Sequence, residues 1–176
     1  YYMQGSLHLH PYWELHAAVH TDSFAETAAH VRELLTDAVR RQLVSDVPIG
    51  TFLSGGLDSS LLSSLSSQVL RERGETLHTF SVDYWDNDRY FRKSHFQPTS
   101  DPAYIRAMER YLGCQHHWTV LDTPALAEAL YAAVDARDLP GMVDVDSSLL
   151  LFCGEIRKEV TVALSGECAD ELFGGY

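Results

Sequence analysis

At 176 residues the chain is long enough for one sizeable domain and too short for two full ones. Its 45% apolar and 22% charged residues are the composition of a globular domain, not of a disordered or fibrous chain. With 13 basic against 25 acidic residues it carries a net charge of −12, which repels a phosphate backbone and excludes nucleic acid as the expected partner. No apolar run reaches the length of a membrane span and no basic-then-apolar leader opens the sequence, so no membrane partner and a cytoplasmic location are expected. Cys114, Cys153 and Cys168 include no CxxC pair and read as free thiols of a reducing compartment.

Residues 1–20, YYMQGSLHLHPYWELHAAVH, are rich in aromatics and histidine without helical period, and read as a tail or linker ahead of a domain over 21–176. His8, His10, His16 and His20 have no thiolate or carboxylate spacing that would make them a metal site. Ser23-Phe24-Ala25-Glu26 fits a capping box. Ala28, Val31, Leu34, Leu35, Ala38, Val39 and Leu43 then recur at helical spacing, which predicts an amphipathic helix from about Phe24 to Val44. Arg40 and Arg41 lie near its C-terminus, on a face expected to be solvated.

Pro48 to Ser60, PIGTFLSGGLDSS, is an apolar strand that stops at Ser54-Gly55-Gly56 and restarts as a helix at Leu57. Two glycines allow positive φ and a concave nest of N–H groups. The helix start adds free N–H donors and the positive end of its dipole, and Ser54, Ser59 and Ser60 add hydroxyls, so the bend suits a polyphosphate. Asp58 beside bound phosphates would be repelled unless a divalent cation lay between them, which argues for Mg²⁺. No Gly-Lys-Ser/Thr follows, so this is not the lysine-bearing phosphate loop. The plainer reading is a Ser/Gly turn with Asp58 as a helix cap.

Leu57, Leu61, Leu62, Leu65 and Val69 mark the next helix, ending before Gly74, and Leu77–Val82 the next strand. Asp83–Ser100 reads as a loop. Asp101-Pro102 opens a helix with an N-cap and a first-turn proline, closed by Gly113. His116–Val120 reads as a strand whose histidines either approach a ligand or fill space. Thr123-Pro124 caps a helix to Val134, Asp135–Val145 is turn-rich, and Asp146 caps a helix over Ser147–Glu159. Val160–Leu164 is a short β-branched strand, and it opens directly into Ser165-Gly166-Glu167-Cys168-Ala169-Asp170-Glu171-Leu172-Phe173-Gly174-Gly175-Tyr176. Alternating strands and helices with long connections describe an α/β fold with a parallel doubly wound sheet, its ligand beyond the strand carboxyl ends at the switch in strand order. Both Ser-Gly bends follow strand ends and should face one another across one crevice.

Ser54-Gly55-Gly56-Leu57-Asp58-Ser59 resembles the SGGxDS signature of the PP-loop ATP pyrophosphatases, and SGECADELFGGY resembles the SGEGADELFGGY segment of glutamine-dependent asparagine synthetases and their close relatives. Two such strings, in the right order and each after a strand, are more specific than either alone. The resemblance covers about residues 12 to 176. It implies the adenine nucleotide alpha hydrolase-like fold, ATP and Mg²⁺ as ligands, and amide synthesis. In that reaction the side-chain carboxylate of aspartate attacks the α-phosphorus of ATP, pyrophosphate leaves, and ammonia displaces AMP. Carried over residue by residue, Leu53 and Val82 touch the nucleotide through backbone. Ser54, Gly55, Gly56, Asp58 and Ser59 hold the departing pyrophosphate, and Ser165 and Gly166 lie against ATP. Asp170 shares the metal with Asp58, and Glu167 faces the intermediate.

The resemblance further implies that Tyr12-Trp13 follows a glutaminase domain which supplies ammonia from glutamine and lies outside this chain; a homodimer is one assembly open to the complete enzyme. Two positions depart from the family: Cys168 replaces a glycine and Pro102 replaces a glutamate. The sequence stops right after the second motif, so this chain alone is expected to bind MgATP and turn over poorly. Two alternatives stay open. One is a paralogue that adenylates another carboxylate, such as a β-lactam synthetase or another amidotransferase, and the other a truncated, non-catalytic nucleotide-binding module.

Overall fold

The computed structural model describes residues 1–92 and 100–175, and the chain divides into two units, 1–34 and 35–176. In the first, Gln4 and Gly5 take φ of 50° and 81° and close a two-residue turn between antiparallel β1 (Tyr2–Met3) and β2 (Ser6–Leu7). Two successive left-handed residues give the turn the twist a hairpin needs. The Tyr1 ring stacks on His8 and His10. Helix α1 (Phe24–Gln42) starts at the expected capping box: Ser23 N–H donates to Glu26 Oε2 at 2.9 Å, and Glu26 N–H to Ser23 Oγ at 3.4 Å.

The second unit is built on four parallel strands: β3 (Ile49–Phe52), β4 (His78–Tyr84), β5 (Gln115–Leu121) and β6 (Val162–Leu164), in the order β5-β4-β3-β6. The chain walks outward from β3 to β5, then returns and lays β6 on the free side of β3. The strand order therefore reverses between β3 and β6. Among the described residues six helices connect these strands or follow β6: α2 (Leu57–Glu72), α3 (Asn87–Tyr90), α4 (Pro102–Leu112), α5 (Thr123–Arg137), α6 (Val143–Ile156) and α7 (Ala169–Phe173).

Side chains alternate across a strand, so Thr51 and Phe52 point to opposite faces of the sheet. Thr51 Oγ1 lies 2.8 Å from Ser63 Oγ of α2, and on this face buried Val39, Leu43 and Val69 pack with Ile49, Leu62, Leu65 and Leu164. On the other face the Phe52 ring lies 5.3 Å from that of Phe152 in α6, and Phe80, Phe152, Ile156 and Val160 form a second buried cluster. Helices α2 and α6 thus cover opposite faces, which makes the sheet doubly wound. The exposed arginines of α1 are tied on its solvated side, Arg40 to Glu72 at 3.0 Å and Arg41 to Asp37 at 2.7 Å.

Several element ends differ from expectation. Asp101 is itself helical (φ −73°, ψ −31°) and its side chain does not cap α4, although Pro102 at the first position and Gly113 at φ +56° do bound that helix. Asp122, not Thr123, caps α5, accepting from Ala125 N–H at 2.8 Å. Asp146 does not open α6. That helix starts at Val143, and the buried Asp146 carboxylate instead pairs with Arg137 at 2.5 Å. The expected loop over Asp83–Ser100 contains the short α3, and its residues 93–99 lie outside those described.

Candidate functional site

Strand β3 ends at Phe52 and the backbone turns at Gly55, with φ +84°. A Cβ there would also stand 3.0 Å from Tyr104 Cβ and 3.2 Å from Ile105 of α4, so glycine is needed for conformation and for space together. Gly56 behaves differently from the expectation of two left-handed glycines. It is extended (φ −72°, ψ 171°) and is itself the N-cap of α2, with no side chain covering the helix start. Asp58 is therefore not the cap. It sits in the first helical turn, exposed. An uncapped first turn leaves N–H donors and the helix dipole available to an anion.

In the loop itself the hydroxyls are tied to each other. Ser59 Oγ is 2.9 Å from Ser54 Oγ, accepts from Ser54 N–H at 3.2 Å and reaches the Gly56 carbonyl at 3.3 Å. Gly56 N–H in turn points at Ser54 Oγ at 3.4 Å. A phosphate oxygen entering this loop would replace hydroxyl-to-hydroxyl bonds with charge-assisted ones.

The second bend follows β6, which pairs directly with β3: Thr51 is level with Leu164, so Ser54 and Ser165 begin neighbouring loops. The approach is close. A Cβ on Gly166 would meet the Asp58 carbonyl carbon, Asp58 Cβ and Ser59 N, all at 3.2 Å. Cys168 takes φ +70°, ψ 8°, the left-handed conformation in which the sequence comparison anticipated a glycine, and precedes α7, whose first turn carries Asp170. Glu167 N–H donates to Ser165 Oγ at 3.2 Å. Ser54, Gly56, Asp58, Ser59, Ser165, Gly166, Glu167, Cys168 and Asp170 together line one cleft of about 530 Å³. The two serine-glycine bends do face one another, and both acids lie in the space between them.

A second cleft of about 380 Å³ adjoins the first. It is lined by Leu53, Ser81, Val82, Tyr84, Ile105 and Trp118, and shares Phe52 and Ser54 with the first. Of the two residues expected to offer backbone here, Leu53 is already engaged: its N–H donates to the Phe80 carbonyl at 2.8 Å and its carbonyl accepts from Ser81 Oγ. Only the second lone pair of that carbonyl remains for a ligand. Val82 is better placed. Phe80 turns its carbonyl toward β3, strand alternation turns Val82 the same way, and β3 ends level with Phe80. The Val82 peptide groups therefore open on the cleft past the end of the neighbouring strand.

The paired histidines do not join this site. Both fall in the first half of β5, and neither lines either cleft. His116 Nδ1 lies 2.7 Å from Thr79 Oγ1, with its Nε2 buried and unpartnered. His117 stacks on Phe80 at 4.8 Å and on His78 at 5.2 Å. Burial holds His116 and His78 below the usual histidine range; for His78 the neighbouring His117 adds to this, while Glu159 opposes it. The Cys114 and Cys153 thiols are pushed up by burial, and all three cysteines are free. Sequence reasoning had no signal for Tyr104 and Ile105, which wall Gly55 from a helix nearly fifty residues away.

A strand order that reverses at β3, with two serine-glycine bends meeting at the reversal, is the arrangement of a nucleotide-binding α/β domain. The asparagine synthase family model matches residues 30–176. The chain is 51% identical over 176 residues to asparagine synthetase [glutamine-hydrolyzing] 3 of Bacillus subtilis, covering 99% of this chain and 29% of that protein. It is 36% identical over 146 residues to asparagine synthetase [glutamine-hydrolyzing] 1 of the same organism, and 33% identical over 160 residues to the asparagine synthetase of Zea mays. These matches cover 83% and 85% of this chain and 21% and 25% of those proteins. The chain belongs to the asparagine synthase family, with the adenine nucleotide alpha hydrolase-like fold of that family, and it spans less than a third of the length of these relatives. Among the described residues no helix is long and apolar enough to cross a membrane.

Proposed function

We propose that this chain supplies the nucleotide-binding part of an asparagine-forming ligase. A side-chain carboxylate oxygen of aspartate attacks the α-phosphorus of ATP, the bond from that phosphorus to the bridging oxygen breaks, and pyrophosphate departs. Ammonia then attacks the acyl carbon and AMP leaves. In the complete enzyme the ammonia comes from glutamine, through a glutaminase domain. The observation that carries this reading is the contact of Gly166 with the Asp58–Ser59 backbone, which brings both bends to one cleft.

Within that cleft the open start of α2, with the Ser54 and Ser59 hydroxyls, binds the β- and γ-phosphates, and the Ser165-Gly166 bend closes the opposite side. The base lies in the adjoining cleft against the Val82 backbone, so Ser54 marks the passage from nucleoside to phosphates. Glu167 faces the acyl-adenylate intermediate.

A divalent cation suits Asp58 and Asp170. Both are hard oxygen donors in the same cleft, and neither belongs to a three-ligand cluster among the described residues. That donor set fits Mg²⁺, which is held by one or two carboxylates together with phosphates and water. When bound it neutralises charge growing on the departing pyrophosphate.

Calorimetry of MgATP against this chain tests the binding half. Asp58→Asn and Asp170→Asn should each weaken binding at least tenfold, and affinity unchanged in both would sink the reading. Pyrophosphate exchange on the full-length protein tests the acceptor. Exchange dependent on aspartate is expected, and exchange with a different carboxylic acid alone would replace asparagine formation by a paralogous amidation.

A further inference from the structure

Away from the nucleotide cleft, three ligand-type side chains converge from three separate elements. His78 is the first residue of β4, His117 lies on β5, and Glu159 is in the turn after α6. One ligand atom from each lies within 4.8 Å of the other two. The strands are parallel, so the start of β4 is the end of the sheet opposite both serine-glycine bends. We propose that this cluster binds a divalent transition-metal ion, Zn²⁺ being the ion whose chemistry it fits, and that the metal ties α6 to the sheet.

The geometry of the two rings carries the proposal. His78 Nδ1 and His117 Nε2 share a hydrogen bond at 3.1 Å, and the ion would take the place of the proton between them. Two imidazole nitrogens each about 2.05 Å from one ion and 3.1 Å apart subtend about 100°, close to the tetrahedral angle. Both rings are half-buried and held: their planes lie within 10° of each other, and Phe80 stacks on His117. Glu159 is exposed, so its carboxylate closes the remaining distance by rotating about its side-chain bonds. Two histidines and one carboxylate leave the fourth tetrahedral position to water. The net charge of −12 raises the local concentration of any cation.

The test is a titration of the full chain with ZnCl₂ in the absence of nucleotide, followed by calorimetry, and with Co²⁺ followed by visible absorption. One equivalent should bind, with a tetrahedral Co²⁺ spectrum, and the melting temperature should rise by about 5 °C at saturating metal. Glu159→Gln is an exposed change that leaves the fold intact and should weaken binding at least tenfold. His78→Asn should abolish it, with circular dichroism reporting that the fold survives. His8→Ala with His10→Ala serves as the control for the histidine-rich start of the chain and should change nothing. Binding that persists in both Glu159→Gln and His78→Asn, or that vanishes in the His8/His10 variant, overturns the proposal, as does the absence of binding to the parent chain. The MgATP measurement with Asp58→Asn is independent of all these outcomes.

Discussion

Cys168 holds φ +70° with a Cβ, a conformation that costs an L-residue about 1 to 2 kcal/mol and glycine nothing. Part of that gain is offset by the greater freedom of glycine in the unfolded chain. Cys168→Gly should therefore raise stability by up to about 1 kcal/mol, read as a higher urea midpoint at unchanged slope; a lower midpoint would mean that the thiol makes a compensating contact. Titration is the second matter decided by single residues. His78 and His116 have lowered pKa values in the folded chain, so between those values and the ordinary 6.5 the unfolded chain binds more protons. Stability from these two groups is complete above about pH 6.5 and declines as pH falls from there toward the folded values. The urea midpoint should drop between pH 7.5 and 5.5, and His116→Asn should flatten the slope. An equally steep drop in that variant would assign the effect elsewhere.

Between elements, the close approach of β6's loop to the start of α2 is the most sensitive joint. Gly166→Ala puts a methyl 3.2 Å from three backbone or Cβ atoms of Asp58 and Ser59, none of them able to rotate away. The helix start has to move, at a cost of about 1 to 3 kcal/mol. MgATP affinity in calorimetry should fall at least tenfold, while Gly154→Ala, whose methyl meets nothing within 4 Å, serves as the matched control. This joint is also where sequence and structure agree best. SGGLDSS and SGECADE each announce a strand, a bend and acids, and parallel pairing of β3 with β6 follows once both bends must serve one ligand. Helix ends were less legible. Asp122, Thr123 and Pro124 offer two candidate caps in a row, and it is the Asp122 carboxylate that takes the Ala125 N–H. Asp146 looks like a cap but is drawn into α6 by Arg137, a residue nine positions away whose pairing no local pattern announces. The Leu53 backbone looked available because the strand pattern could not reveal that Ser81 and Phe80 already occupy it. The His78–His117–Glu159 cluster is invisible in sequence for a related reason: its members lie 39 and 42 positions apart, and they meet only through the pairing of β4 with β5 and the packing of the turn after α6.

For the molecule as a whole, a net charge of −12 opposes the approach of any polyanion. ATP bound in this cleft would carry up to four negative charges past Asp58, Glu167 and Asp170, all of which face the same space. Removal of Mg²⁺ with excess EDTA should weaken ATP binding at least tenfold, and added salt should narrow the gap between the two conditions. Equal affinity with and without the cation would show that the acids do not sense the phosphates. The wall formed by Phe52 and Ser54 has a further consequence, because the same short stretch of backbone borders both clefts. On the reading proposed above, nucleoside and leaving group would share that partition, so any drift of it would be felt on its two sides at once. A substitution meant to alter one cleft and spare the other belongs on the outer rims, at positions such as Trp118 or Glu171, and not on the shared ridge.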